Sequence, residues 1–218
     1  MFDTVILLAG AVGHTLLSSV LHAHNPQLQV FPVFTADDLA AVEPEWLQRA
    51  RLVDFATSIV VSPEILDGLG FGAYRFHPGS PQYPDLEAAR FALQDGAGEF
   101  GVTAHRITSR DAAGPIVDVD SFAIPPGTTL AGLEDMARGP LLKIFWRLAG
   151  PLATQTEPLV QRAMRWGTKR EMFADVESTI QIAPSRHHAI TGPKALRSAG
   201  RRGPALRTVF SAGEAVEA

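Results

Sequence analysis

Short runs of β-branched and aliphatic residues alternate with helical stretches from Thr4 to Leu152, and that alternation restricts the folds open to the chain. Thr4–Leu8 reads as a strand closed by Gly10 and Gly13, with helical spacing over 15–24. Residues 28–34 read as a second strand in which Pro32 suits an edge position. An amphipathic helix follows over 36–51, with Leu39, Val42, Trp46 and Leu47 on one side, and then a third strand over 52–56. Ser62-Pro63 opens another helix, stopped by Gly70 and Gly72, and 73–76 is a strand ending at His77-Pro78. A helix over 86–95, strands over 101–107 and 116–122, and a long helix over 129–152 complete the pattern, the last interrupted or kinked at Gly139-Pro140. The expected fold is α/β: a Rossmann-like open, mostly parallel sheet flanked by helices, its later strands free to run antiparallel. In such sheets chemistry gathers beyond the carboxyl ends of strands, and His77 stands at one.

At 218 residues the chain is long enough for one full core. Its net charge of −4 gives no global case for nucleic acid or a membrane surface. No cysteine is present, which excludes disulfides and thiolate metal sites and is compatible with a reducing compartment. Met1-Phe2-Asp3-Thr4 carries an acid and no base, so the apolar run that follows is expected to be a buried strand rather than a secretory signal. No apolar run reaches the ~20 residues of a membrane span, and a soluble, cytoplasmic protein is expected. The expected organisation is one domain over 1–184 and a basic, disordered tail over 185–218. Arg186, Lys194, Arg197, Arg201, Arg202 and Arg207 leave RNA phosphates open as a partner for that tail, though without interleaved aromatics apart from Phe210.

Three segments carry the chemistry. They are Tyr74-Arg75-Phe76-His77-Pro78-Gly79-Ser80-Pro81, then Gly101-Val102-Thr103-Ala104-His105, then Asp111-Ala112-Ala113-Gly114-Pro115-Ile116. In this order and spacing they resemble the formyltransferase family, whose members carry a formyl group from 10-formyltetrahydrofolate to an amine. The resemblance extends over about residues 1–180 and is strongest to small bacterial formyltransferase-like chains. It implies an Asn, a His two residues later and an Asp before a Gly as the catalytic set. Those types suit formyl transfer, in which an oxyanion needs a donor and the attacking amine must lose a proton.

His77 matches the family His, but the Asn position holds Arg75 and the Asp position holds Ala112, with Asp111 one place early. Asp111 is either a displaced catalytic carboxylate or an ordinary loop acid. Arg75 is either an altered oxyanion or anion-binding group, or it turns aside and leaves the site inactive. A cation fixed beside His77 is expected to disfavour imidazole protonation. The resemblance also implies a folate site on the backbone of Ser58, Ile59, Val60 and Val61 and of Ile107, Thr108, Ser109 and Arg110. The implied acceptor is a small-molecule amine. Two other readings stay open: a non-catalytic folate- or ligand-binding module on the same fold, and a deformylating hydrolase in which water replaces the amine.

Gly10-Ala11-Val12-Gly13 lacks the third glycine of a dinucleotide fingerprint and reads better as a tight strand-to-helix turn. His22 and His24 lie on different faces of one helix and His105 reads as a structural strand residue, so no metal set is expected. Trp166 precedes the tail, where it either closes over the sheet or shapes the mouth of the site.

Overall fold

In the computed structural model, which describes residues 1–108 and 113–167, strand β1 (Thr4–Leu8) leads into helix α1 (Ala11–His24). There follow β2 (Gln29–Val33), α2 (Ala36–Ala40), α3 (Pro44–Leu47), β3 (Ala50–Phe55), α4 (Pro63–Gly68) and β4 (Ala73–His77). The described elements end with α5 (Ala88–Gln94), β5 (Glu99–Ile107), β6 (Ile116–Ala123) and α6 (Leu130–Thr154). One six-stranded sheet results, in the order β2-β1-β3-β4-β5-β6. Its first four strands are parallel, and β5 pairs antiparallel with both β4 and β6. The expected α/β class and mostly parallel sheet are what the chain forms.

β1 is buried at all five positions because helices cover both faces of the sheet, which is why its sequence is apolar without alternation. Val5 and Leu7 face a core built with Leu17 and Leu21 of α1 and Leu133, Ile144 and Phe145 of α6. Ile6 and Leu8 face a second core with Leu39, Leu47 and Ile107. Pro32 lies on the edge strand opposite Leu7, where its missing N–H leaves no ladder bond unmade.

Three expectations about element bounds are corrected. α1 begins at Ala11 with Gly10 as its cap, so Gly13 lies inside the helix instead of closing a turn. The single helix expected over 36–51 is two, because Pro44 cannot donate to the ladder and instead opens α3. α2 has its own start signal: Thr35 and Asp38 cap each other's backbone N–H groups at 2.9 and 3.1 Å. The long helix is not interrupted at Gly139-Pro140: α6 runs on through both Pro140 and Pro151.

Arg51, expected at a helix end, stands in β3 with no exposed surface. Its guanidinium donates to the carbonyls of Pro151, Leu152 and Gln155 at 3.0, 2.8 and 2.9 Å. These carbonyls lie at the negative end of α6, where the Pro151 carbonyl also accepts the Gln155 N–H, so a buried cation there is compensated. The expected boundary at residue 184, the tail and the loop positions Ser109, Arg110, Asp111 and Ala112 lie outside the described residues. Among the described residues no helix is long and apolar enough to cross a membrane.

Candidate active site

β4 delivers two site residues from one face of the sheet. Residues alternate across a strand, so Arg75 and His77 point to the same side and Tyr74 and Phe76 to the other. Phe76 and Tyr74 anchor the strand in the core with almost no exposure. Arg75 is in register with Asp54 of β3 on one side and with His105 of β5 on the other.

The Arg75 Nε–H donates to Asp54 Oδ2 at 2.6 Å, and Nη2 donates to the Ile59 carbonyl at 3.0 Å. Asp54 is completely buried. Its other oxygen, Oδ1, accepts from the Thr57 N–H at 3.1 Å and the Thr57 hydroxyl at 2.8 Å. Burial pushes the Asp54 carboxyl up, and the Arg75 guanidinium and Thr57 pull it back. Arg75 therefore does not swing away from the sheet. Nη1 is left without a hydrogen bond among the described residues, and Arg75 lines two pockets that meet at His77.

His77 is 3% exposed and its Nε2 lies 3.1 Å from the Tyr83 carbonyl. A carbonyl only accepts, so Nε2 carries the proton and Nδ1 holds the lone pair of the neutral ring. Burial pulls the imidazole down to about 4, the Tyr83 carbonyl and Asp85 oppose it, and Arg75 lowers it further. The expected effect of a nearby cation is thus present but secondary to desolvation.

The loop after His77 is shaped around the ring. A Cβ on Gly79 would sit 2.2 Å from His77 Nε2 and 2.6 Å from Ala88 Cβ, so the close approach of this backbone requires glycine. Thr103, opposite His77 on β5, donates its hydroxyl to the Gly79 carbonyl at 2.7 Å. Trp166 sets its ring edge-on to His105 at 5.0 Å and to His77 at 6.4 Å between centroids. Its Nε1–H donates to the Gly114 carbonyl at 2.8 Å, and the Gly167 N–H to the Pro81 carbonyl at 2.8 Å. Trp166 thus packs against both histidines of the site.

Ser58 lines one pocket of about 190 Å3 with Thr57, Arg75, His77 and Leu86, and a second of about 410 Å3 with Gly10, Phe34 and Ile59. A third, of about 230 Å3, holds Arg75, His77, Asp85, His105 and Ala113. Ala56, at a φ of 53°, turns the chain out of β3 in the left-handed region, so that 57–59 pass beside the end of β4. Val60 is 83% exposed, while Val61 is buried in the second core. Ile107 is not brought to His77: it pairs with Ala73 at the other end of β4 and is buried. Thr108 is half-buried at the end of β5, and Ser109, Arg110 and Asp111 lie outside the described residues. Among the described residues no three His, Asp or Glu side chains come together to hold a metal ion.

Sequence reasoning missed Asp54 and Asp85. Asp54 had a signal: an acid in an apolar strand one neighbour away from another strand's lone Arg. Asp85 had none beyond its place after Pro84.

No protein-family model matches the chain. A sugar N-formyltransferase from a Shewanella species superposes with a TM-score of 0.61 at 12% identity, over 88% of this chain and 84% of that one. An N-formyltransferase from Helicobacter canadensis, in complex with folinic acid and dTDP-3-aminofucose, gives 0.54 at 14% identity over 78% and 72%. A formyltetrahydrofolate deformylase from Pseudomonas syringae gives 0.53 at 15% identity over 74% and 67%. The fold of the chain is that of the formyltransferases.

Proposed function

We propose that the chain transfers a formyl group from 10-formyltetrahydrofolate to an amine of a small molecule, and that His77 is the catalytic centre. The observation that carries this reading is the seating of His77: a buried, neutral imidazole at the carboxyl end of β4, where two pockets meet. Its Nδ1 accepts a hydrogen bond from the attacking amine and aims the nitrogen lone pair at the formyl carbon. The Arg75 Nη1 group faces the oxygen on which charge develops, in the place of the amide side chain that the family pattern has there. Asp54 fixes the guanidinium in that position.

Backbone groups of Ser58, Ile59, Val60 and Val61 would hold the folate, together with the loop over 107–110. The pockets over Ser58 supply the space, and the Ile59 carbonyl is already taken by Arg75, which leaves its neighbours for the ligand. The reaction also needs a carboxylate to take the amine proton; Asp111, the acid that the sequence offers for it, lies outside the described residues. The catalytic unit is residues 1–184, its compartment the cytoplasm, and its acceptor a small amine such as an amino sugar nucleotide, as bound in the Helicobacter enzyme.

The test is calorimetric titration with 10-formyltetrahydrofolate, followed by turnover with a panel of amino sugars and other amines. Saturable binding and a formylated amine are expected; no binding overturns the reading. Deformylation is the second reading, favoured by the likeness to a deformylase. Formate released at the same rate with and without an amine would establish it instead.

A further inference from the structure

Asp85 reaches the reaction centre from the wall that the family pattern does not use. It is half-buried and lines the pocket of about 230 Å3 with His77, Arg75 and His105. Ala113 lines the same pocket, and the residue before it, Ala112, is where the family pattern puts its carboxylate. Among the described residues that line this space, Asp85 is the acid.

The loop holds Asp85 in place. Tyr83, two residues earlier, is buried; its N–H donates to the Ser80 carbonyl at 2.9 Å and its hydroxyl to Asp95 Oδ2 at 3.0 Å. The Tyr83 carbonyl is also the group that holds His77 Nε2. Pro84 then fixes the backbone angle between the two. His77 and Asp85 are therefore both positioned by the turn that carries Tyr83 and Pro84. The charge of Asp85 is close enough to favour the protonated form of His77. Among the described residues Asp85 is in no ion pair and accepts one long hydrogen bond, 3.4 Å from the Glu87 N–H.

We propose that Asp85 is the carboxylate that accepts the proton of the attacking amine, in the role the family pattern assigns to the position of Ala112. As the amine nitrogen bonds to the formyl carbon, the carbonyl electron pair moves to oxygen and one amine N–H proton passes to Asp85. The oxyanion then re-forms the carbonyl, the bond from carbon to the folate N10 breaks, and N10 takes that proton from Asp85. The products are the N-formyl amine and tetrahydrofolate, with no further reactant. This assignment rests on the formyl-transfer reading above.

The experiment measures tetrahydrofolate formation from 10-formyltetrahydrofolate with the amine panel, for the full chain and for Asp85→Asn, Asp85→Glu and Asp85→Ala. General-base catalysis contributes about 10²–10⁴-fold, so Asp85→Asn is expected to lose at least about 10²-fold in kcat while it binds folate as before. Asp85→Glu recovers part of the rate, and added acetate raises the rate of Asp85→Ala. A wild-type chain without turnover overturns the formyl-transfer reading and this assignment with it. Turnover that survives Asp85→Asn within a few-fold overturns the assignment alone. So does a loss that neither acetate nor Glu repairs, the behaviour of a residue that merely shapes the start of α5.

Discussion

Arg75 Nε and Asp54 Oδ2 lie 2.6 Å apart, in register across the parallel strands β4 and β3, with Asp54 completely buried. The two residues are one unit, and Arg75 cannot be exchanged by itself. Removing one partner of a buried pair costs about 3–5 kcal/mol, because the other charge stays in the interior. Arg75→Asn, which restores the family residue, should therefore lose stability on that scale in denaturant unfolding. The double change Asp54→Asn with Arg75→Asn should recover much of the loss. A fully stable single variant would contradict the pairing.

The buried imidazole of His77 makes acid stability a reporter of the site. In the unfolded chain a histidine takes up its proton near 6.5, whereas folded His77 resists it down to about 4. Between those values the unfolded state binds more protons, so stability is full above pH 6.5 and falls as pH drops through the window, by about 3 kcal/mol in all. His77→Gln should remove this component. The check is the difference between wild-type and variant unfolding free energies from pH 7 to pH 4, which should shrink towards acid.

Gly79 leaves no room for a side chain beside His77 Nε2 and Ala88. Gly79→Ala must push the ring or the loop aside. Overpacking of this kind costs about 1–3 kcal/mol. The same displacement should reduce turnover with the fold intact, read as a fall in kcat with an unchanged far-ultraviolet circular dichroism spectrum.

Arg51→Met should destabilise the protein by roughly 3 kcal/mol, since orphaned buried acceptors cost ~1–3 kcal/mol each. The carbonyls of Leu152 and Gln155 would lose the guanidinium as donor at the end of α6, while that of Pro151 keeps the Gln155 N–H. A thermal midpoint equal to that of the wild type would show that water replaces the guanidinium without loss.

The alternation of strands and helices was enough to read the fold class, because the central strand β1 has the unbroken apolar run, from Val5 to Leu8, that burial on both faces demands. The helix over 36–51 was misread because its apolar face continues across Pro44, and periodicity is blind to one missing N–H. Arg51 fell at the end of the expected helix over 36–51. Its burial depends on carbonyls a hundred residues later, which no local pattern announces. At the site, His77 and Arg75 were visible through the motif. Asp85 was not, since its approach to His77 depends on how Tyr83 and Pro84 fold the loop back on the ring.

The central claim is that His77 is where a formyl group passes to an amine. Mass-spectrometric detection of the N-formyl product from 10-formyltetrahydrofolate and an amine panel, for the wild type and for His77→Gln, tests it most directly. The account predicts product from the wild type and a rate at least about 10²-fold lower for the variant, with the fold retained. Product formed by His77→Gln at the wild-type rate would contradict it.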